Sequence, residues 1–344
     1  MGFGISFWVL GCGFWDLTGL HQQVRRTIRR YGLLPPGARV LVGLSGGSDS
    51  VALTRLLLDL AEHGEFSLVG AAHLNHGLRA SAGRDEAFCR EFAARRRLPI
   101  VVERIDVRSY AETQGLSIED AARRLRYDFL HRTAAACGAD RTAVGHTQDD
   151  QAETFLLKLM RGAGLTGLGG IYPRRDSVIR PLIDVPRAEL RAYLASLGES
   201  WVEDESNVDL DNPRNRVRHR VLPELDRAAG AATRPAIARA AALIREDGQW
   251  LDELSQERFR AVAVETGAGL ELDVRGLSET PAPVRRRVLL EAMRRRAGGR
   301  EIGLEHVEAV LSLVGGAQGG VDVPGSRVEL RGGKLVLIQK GPVR

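Results

Sequence analysis

The chain has 344 residues, of which 44% are hydrophobic, and a formal net charge of +5. This length exceeds one ordinary domain, so we expect two domains with substantial buried cores. Nearly all the basic charge is arginine, and two explanations stay open: the amino-acid usage of a GC-rich genome, or an acidic partner such as RNA.

The three cysteines, Cys12, Cys89 and Cys137, lie far apart in the sequence. They form no CxxC pair, which argues against zinc and iron–sulfur sites. A disulfide framework is also unsupported, and this fits a reducing cytoplasm.

The first residues, 1–19, include the apolar and aromatic stretch from Phe3 to Trp15. This stretch lacks the basic start and the cleavage site of a signal peptide. It is also too short and too interrupted by glycine to span a membrane. We therefore expect a poorly ordered extension at 1–19, a cytoplasmic location and no membrane association.

From residue 20 the sequence alternates between amphipathic helices and short apolar strands. The predicted strands are 39–44, 66–74, 99–107, 141–145 and 177–182. The predicted helices are 21–31, 50–63, 81–97, 117–137, one that begins at Thr147, and 187–197. This alternation predicts an α/β fold, with a parallel sheet covered by helices on both faces.

The remainder of the chain differs in pattern. Residues 203–215 are polar and indicate a linker or an ordered surface segment. Residues 218–300 are predicted to be mainly helical, followed by short strands at 321–323, 327–330 and 335–338. We expect one domain at 20–217 and a second region at 218–344 that is helical and then forms a small β tail.

Three polar stretches follow predicted strands: 45–50, 73–79 and 146–153. In a parallel sheet the carboxyl ends of the strands meet at one rim, where ligands bind. The sequence therefore predicts that these stretches surround one site.

The first stretch is Ser45-Gly46-Gly47-Ser48-Asp49-Ser50. Adjacent glycines let the backbone approach a ligand closely, and the start of the following helix attracts phosphate. The Gly-Lys-Ser/Thr ending of a Walker loop and the Rossmann glycine pattern are both missing. The loop predicts a nucleotide phosphate site, and the alternative is a plain strand-to-helix turn.

The second candidate is the acidic stretch after the fourth strand. Asp149 and Asp150 lie four and three residues before Glu153, so all three can share one helix face. Their mutual repulsion would be relieved by Mg²⁺ or by a substrate ammonium group. The alternative is a helix whose N-terminus is stabilised by acidic side chains.

Two groups of arginines are further candidates. Arg214, Arg216, Arg218 and Arg220 occupy every second position, so in an extended segment they would share one face that suits a phosphate backbone. Arg126 lies on the helix that begins at Ser117, and its planar guanidinium suits a phosphate or a carboxylate. For both groups the alternative is a solvated basic surface.

The loop at 45–50 resembles the SGGxDS loop of the N-type ATP pyrophosphatases, which cleave ATP between the α and β phosphates. Further motifs are His73-Leu74-Asn75-His76-Gly77-Leu78-Arg79, the stretch 145–154 and Arg180-Pro181-Leu182. Their order and spacing over about residues 20–225 resemble the tRNA(Ile)-lysidine synthetases. The resemblance implies an adenine nucleotide alpha hydrolase-like fold.

The resemblance also implies a reaction. The wobble cytidine of the isoleucine tRNA with a CAU anticodon would be adenylated by ATP with release of pyrophosphate. L-Lysine would then displace AMP and form lysidine, so the enzyme would be a ligase that makes a carbon–nitrogen bond. ATP and Mg²⁺ are the implied cofactors, and the oligomeric state stays open, with a homodimer as one arrangement.

The roles implied for individual residues follow from the matched motifs. ATP would be bound by Ser45, Gly46, Gly47, Ser48, Asp49, Ser50 and His73. Catalysis or lysine binding would fall to Arg126, His146, Asp150 and Glu153. Asp49 and Asp150 would hold the metal ion, and Arg214, Arg216 and Arg218 would contact the tRNA. The domain at 20–217 would be the catalytic domain, and the region at 218–344 would bind the tRNA.

Two alternative functions remain at this point. One is a tRNA thiolation enzyme of the same ATP-using class, although Cys89 and Cys137 do not follow strand ends as a nucleophile should. The other is a nucleotide-binding module without catalysis.

Overall fold

The structure is a computed structural model that describes residues 19–78, 82–203, 209–230, 232–267, 269–316 and 319–339. The chain divides into two compact units, one that ends at Ala242 and one that begins at Leu243. Of the predicted extension at 1–19, only Gly19 is described, and it begins the first helix. The predicted boundary between 217 and 218 separates two functional regions rather than two packing units, and it stays a prediction.

The first unit alternates strands with helices. Its strands are β1 (Arg39–Gly43), β2 (Ser67–Asn75), β3 (Ile100–Arg104), β4 (Arg141–Ala143), β5 (Arg174–Arg175) and β6 (Val178–Ile179). Its helices are α1 (Gly19–Arg30), α2 (Ser48–Ala61), α3 (Ala82–Arg95), α4 (Val107–Gln114), α5 (Ile118–Cys137), α6 (Gln148–Met160), α7 (Leu165–Leu168), α8 (Arg187–Ser196), α9 (Pro213–Arg216) and α10 (Leu222–Ala229). A π-helical segment, Val217–Val221, joins α9 to α10, and α11 (Thr233–Val262) contains the boundary between the units.

The sheet of the first unit has the strand order β3-β2-β1-β4-β6-β5. Its pairs are parallel except for β5 with β6. Val40 and Val42 face a core that is shared with α1, α2, α3 and α8, whereas Leu41 faces Phe129 and Leu130 of α5. Because successive strand side chains point to opposite faces, β1 is buried on both sides. The predicted parallel sheet with helices on both faces is confirmed.

The second unit contains an antiparallel sheet with helices packed on it. Its strands are β7 (Ala263–Thr266), β8 (Gly269–Asp273), β9 (Gly320–Val323), β10 (Ser326–Arg331) and β11 (Lys334–Gln339), in the order β7-β8-β11-β10-β9. Its further helices are α12 (Val274–Ser278), α13 (Ala282–Arg296) and α14 (Leu304–Val314). Leu272 and Leu335 of the sheet pack in one core with Val288 and Val310 of the helices. The predicted β tail is confirmed, but the hairpin β7–β8 lies in a region predicted to be mainly helical.

Two local predictions are wrong. The third strand does not extend to residue 107, because the side chain of Asp106 accepts hydrogen bonds from the backbone of Arg108 and Ser109 and begins α4. The arginine run at 214–220 is helical rather than extended. Asn212 caps this segment through the backbone N–H of Arg214, 2.8 Å away, and Pro213 occupies the first turn, where proline is favourable.

None of the helices within the described ranges is both long enough and apolar enough to cross a membrane.

Candidate active site

A cavity of about 1150 Å³ lies at the carboxyl ends of β1, β2 and β4. The strand order reverses direction at β1, and such a switch point is where doubly wound sheets bind ligands. The predicted site residues that line the cavity are Ser45, Gly47, Ser48, Asp49, Ser50, His73, Arg126, His146, Asp150, Arg214 and Arg218. Gly46, Glu153 and Arg216 are not among its lining residues.

The loop between β1 and α2 is held by hydrogen bonds among its own residues, and the N-terminus of α2 faces the cavity. The hydroxyl of Ser50 accepts a hydrogen bond from the backbone N–H of Ser45 and donates to the carbonyl oxygen of Gly47. Gly46 has a φ of +90°, which favours glycine. Gly47 stands at the N-cap position and offers no side chain, so the first N–H groups of α2 remain available to an anion.

Gly145 holds the loop after β4 against the start of α2. A Cβ atom at this position would lie 3.1 Å from the carbonyl carbon and oxygen of Asp49 and from the backbone nitrogen of Ser50. A side chain here would crowd these backbone atoms, and the close approach of Gly145 brings His146 to the side of the phosphate loop.

Asp150 takes part both in the capping box at the start of α6, where Thr147 is the N-cap, and in ion pairs. Its Oδ2 accepts from the backbone N–H of Thr147 at 2.8 Å and from its hydroxyl at 2.9 Å, which forms a capping box with α6. Its Oδ1 accepts from the guanidinium groups of Arg187 at 3.0 Å and Arg214 at 2.9 Å. Burial alone would raise the pKa of Asp150, but the two arginines outweigh it and hold the pKa well below its usual range.

Glu153 has no solvent-exposed surface and is surrounded by arginines. Arg218 binds it with two hydrogen bonds, from Nε at 2.6 Å and from Nη2 at 3.0 Å, and Arg214 Nε donates from 2.7 Å. Arg216 points elsewhere and donates to the carbonyl oxygens of Leu210 and Asp211. Residues four apart share one helix face, which explains why Arg214 and Arg218 meet at Glu153.

Arg187 is a site residue that the sequence analysis missed. Its Nε donates to Asp49 Oδ2 at 2.9 Å, and its guanidinium also reaches Asp150 and Glu153. An arginine in the first turn of a helix opposes the helix dipole, so its place at the start of α8 could have indicated an acidic partner. Burial raises the pKa of Asp49, and the charge of Arg187 offsets only part of this effect.

Arg126 is a cation at the cavity wall. Among the residues that the structure describes, its only specific contact is with the ring of Tyr127, with 5.4 Å from the guanidinium carbon to the ring centroid. Burial lowers the pKa of Arg126, but an arginine stays charged at physiological pH. Its guanidinium is therefore available to an anionic ligand.

The two histidines of the site differ in the hydrogen-bonding role of Nδ1. His73 Nδ1 donates to the carbonyl oxygen of Leu44 at 2.8 Å, and its buried Nε2 has no hydrogen-bond partner within the described ranges. His146 Nδ1 instead accepts from Arg180 Nε at 3.2 Å. Burial lowers the pKa of both rings, in His146 to about 3, so both are neutral at physiological pH.

A metal ion fits only part of the predicted metal site. The described part of the chain contains no group of three or more His, Cys, Asp or Glu side chains that could hold a metal. Asp49 Oδ1 contacts the Ser48 hydroxyl and retains capacity for a cation, whereas both oxygens of Asp150 are occupied. Asp49 therefore fits a Mg²⁺ ion that arrives with phosphate, and Asp150 does not in this arrangement.

The described cysteines offer no activated nucleophile. Cys89 is fully buried against the carbonyl oxygen of Leu44, and burial raises the pKa of its thiol to about 12. Only the thiolate is nucleophilic, so Cys89 is chemically inert near neutral pH. Cys137 ends α5 and does not line the cavity.

Known proteins resemble the chain at the level of both sequence and fold. The family model of the PP-loop domain matches residues 19–225. A tRNA(Ile)-lysidine synthase of Geobacter sulfurreducens is 41% identical over 85% of this chain and 63% of its own length. Another, from Symbiobacterium thermophilum, is 39% identical over 94% of this chain and 70% of its own length.

A solved structure shares the fold alone. It is a U34-tRNA thiolase from Methanococcus maripaludis with a [4Fe-4S] cluster, and it is 19% identical with a TM-score of 0.56. The match covers 66% of this chain and 78% of the thiolase. The chain spans less than two thirds of the length of the Geobacter relative. From the PP-loop match and these identities, the chain belongs to the tRNA(Ile)-lysidine synthase family of PP-loop proteins.

Proposed function

We propose that the chain joins L-lysine to C2 of the wobble cytidine in the isoleucine tRNA with a CAU anticodon, using ATP. The main observation behind the proposal is that one cavity holds groups that suit phosphates beside groups that suit an ammonium ion. An uncapped helix N-terminus and the free guanidinium of Arg126 suit phosphates, and the carboxylates of Asp150 and Glu153 suit an ammonium group.

In the first step, the C2 oxygen of the cytidine attacks the α-phosphorus of ATP. The bond to the bridging oxygen of the β-phosphate breaks, and pyrophosphate leaves with the electron pair. Residues 45–50 and the start of α2 hold the pyrophosphate, while Arg126 faces the negative charge that develops on the phosphoryl oxygens. Asp49 and the phosphate oxygens would hold Mg²⁺, which would supply further charge neutralisation.

In the second step, the ε-ammonium group of lysine releases a proton to solvent, and the neutral amine attacks C2. A C–N bond forms, the C2–O bond breaks, AMP leaves with that electron pair, and the nitrogen releases a second proton to solvent. The products of the whole reaction are then lysidine, AMP and pyrophosphate, so the enzyme is a carbon–nitrogen ligase.

Lysine binding requires an exchange of partners in this proposal. Every oxygen of Asp150 and Glu153 already has a hydrogen-bond donor. An ammonium group can enter only if Arg187, Arg214 or Arg218 gives up a contact. Each released guanidinium can then pair with a tRNA phosphate, with Arg216 alongside on the same segment.

The reaction is placed in the cytoplasm, where tRNA is available and reduced cysteines persist. All the residues named above belong to one chain, and the homodimer stays a prediction. The thiolation alternative loses support, because the thiol of Cys89 has a pKa near 12.

The test is mass spectrometry of the cognate tRNA after incubation with ATP, Mg²⁺ and isotope-labelled lysine. We expect labelled lysidine at the wobble position and equimolar pyrophosphate. A mass increase that depends on a sulfur donor would favour thiolation, and absence of pyrophosphate would favour a non-catalytic module.

Variants connect this activity to the site. Removal of the carboxylate in Asp49→Ala or Glu153→Ala should lower lysine incorporation by about 100-fold, which is typical for loss of one positioned polar group. Glu91→Ala, on the exposed side of α3, is the control and should retain full activity. Full incorporation by both site variants would refute the assignment.

A further inference from the structure

Arg180 fixes the hydrogen-bonding pattern of the cavity-lining His146. The Arg180 side chain is buried and uses each of its nitrogens: Nε donates to His146 Nδ1 at 3.2 Å, Nη1 to the carbonyl oxygen of Tyr172 at 2.8 Å, and Nη2 to the hydroxyl of Tyr127 at 3.1 Å. A guanidinium can only donate. Nδ1 of His146 must therefore be the acceptor, and in the neutral ring the proton resides on Nε2.

The surroundings of His146 keep the ring neutral. Burial is the largest cause of its low pKa, and the charges of Arg180, Arg126 and Arg214 add to it, while Asp150 opposes them. The hydroxyl of Tyr127 belongs to the same network through Arg180. A proton accepted by His146 would have to displace Arg180 from Nδ1 and would place a fourth cation among three arginines.

Neither nitrogen of His146 is thus ready to accept a proton, but Nε2–H can donate a hydrogen bond. Cations surround this part of the cavity, so the fitting acceptor is an oxygen that carries negative charge. The close approach at Gly145 places His146 beside the start of α2, where the phosphates are expected.

We propose that His146 donates a hydrogen bond from Nε2–H to a non-bridging oxygen of the α-phosphate, and that Arg180 is the positioning residue that fixes this tautomer. The inference rests on the proposed function, in which the α-phosphate passes from ATP to the cytidine adenylate and then to AMP. It also excludes His146 as the general base for the lysine amine.

Two substitutions at His146 separate a donor from a base. In His146→Gln, the amide oxygen can accept from Arg180 and the amide nitrogen can donate in place of Nε2, but no basic atom remains. We expect tRNA-dependent pyrophosphate release to fall about 100-fold in His146→Ala and less than about 10-fold in His146→Gln. Equal losses in the two variants, with ATP binding retained in both, would overturn the donor role.

The tautomer itself is measurable without activity. The full-length protein, with its eight histidines labelled with ¹⁵N, gives spectra that distinguish protonated from unprotonated ring nitrogens, and the signal lost in His146→Gln identifies His146. We expect a single proton, on Nε2, between pH 5 and pH 8. A proton on Nδ1, or a cationic ring in this range, would overturn the inference.

Arg180→Met tests the positioning role, with Tyr127→Phe as its matched control. The methionine removes the donor to Nδ1, so the His146 signal should broaden or shift as the ring samples both tautomers. The phenylalanine removes a different contact of Arg180 and should leave the Nε2–H tautomer unchanged. An unchanged signal in folded Arg180→Met would refute the role of Arg180.

If the wild-type protein released no pyrophosphate, the proposed function would fail separately, and the spectra would still decide the tautomer.

Discussion

At the scale of single residues, arginines pair with the acidic groups of the site. Arg187 joins Asp49 to Asp150, and Arg214 and Arg218 surround Glu153. A buried carboxylate is costly unless it is paired and hydrogen-bonded, so these contacts offset the cost of burying Glu153. In the proposed reaction, some of these contacts open when lysine binds.

Arg218→Met should destabilise the protein by about 2 kcal/mol, because it removes two charged hydrogen bonds from a carboxylate without solvent exposure. The matched control is Arg216→Met on the same segment, which leaves Glu153 untouched and should change stability by less than about 0.5 kcal/mol. Urea unfolding at neutral pH measures both. Equal midpoints for the two variants would show that the Glu153 contacts contribute nothing to stability.

The sequence was sufficient to predict which strand ends form the site, but not how its charges pair. Ser45 to Ser50, His73 and His146 could be placed together because each follows a parallel strand, and parallel strands end at one rim. Arg187 could not be placed, since its partners lie about 40 to 140 positions earlier and meet it only through tertiary packing.

At the scale of elements, the arginine run shows where sequence periodicity fails. Alternate spacing fits a strand, but Asn212 and Pro213 begin a helix there. The helical period then places Arg214 and Arg218 on one face and Arg216 on another. In a strand, all three would have shared one face. Local capping residues, rather than the spacing of charges, decide this segment.

A second element-scale feature is the junction of α3 with the ends of β2 and β3. Glu86 of α3 accepts hydrogen bonds from Arg104 Nε at 2.7 Å and from the Asn75 amide at 3.0 Å. Chiefly through the hydrogen bond from Arg104, the pKa of Glu86 falls from about 4.5 to about 2. The carboxylate form is therefore bound more strongly in the folded state than in the unfolded state.

The contribution of Glu86 to the free energy of unfolding should depend on pH, and Glu86→Gln measures it. Because the folded pKa lies below the unfolded value, the stabilisation by Glu86 is complete above about pH 4.5 and is lost as the pH falls towards 2. The difference in unfolding free energy between the wild type and Glu86→Gln should be constant from pH 7 to pH 5 and shrink below that. Glu91→Gln, on the same helix with an exposed partner, is the control and should show almost no difference at any pH. A Glu86→Gln difference that does not change down to pH 3 would contradict the pKa shift.

At the scale of the whole molecule, the chain is two units with separate cores and different sheets. The order of an α/β part, helices and a β tail could be predicted from composition and periodicity. The boundary could not, because α11 runs through it without a glycine- or proline-rich break. The first unit includes residues beyond 217 that pack on the site: Leu222 and Ile237 lie against Ala152 and Val217.

Two truncations should locate the functional boundary. A chain that ends after Ala242 keeps the Leu222 and Ile237 contacts and the ion pair of Arg234 with Asp149, which is 2.8 Å long. It should unfold cooperatively and bind ATP about as tightly as the full chain.

A chain that ends after Val217 exposes the apolar face of α6 and leaves Asp149 without Arg234, so its free energy of unfolding should fall by roughly 3 kcal/mol or more. Urea unfolding and calorimetric titration with ATP measure both fragments. Equal stability and ATP affinity in the two would place the functional boundary at 217, since nothing between 218 and 242 would then be needed to hold the acidic helix in place.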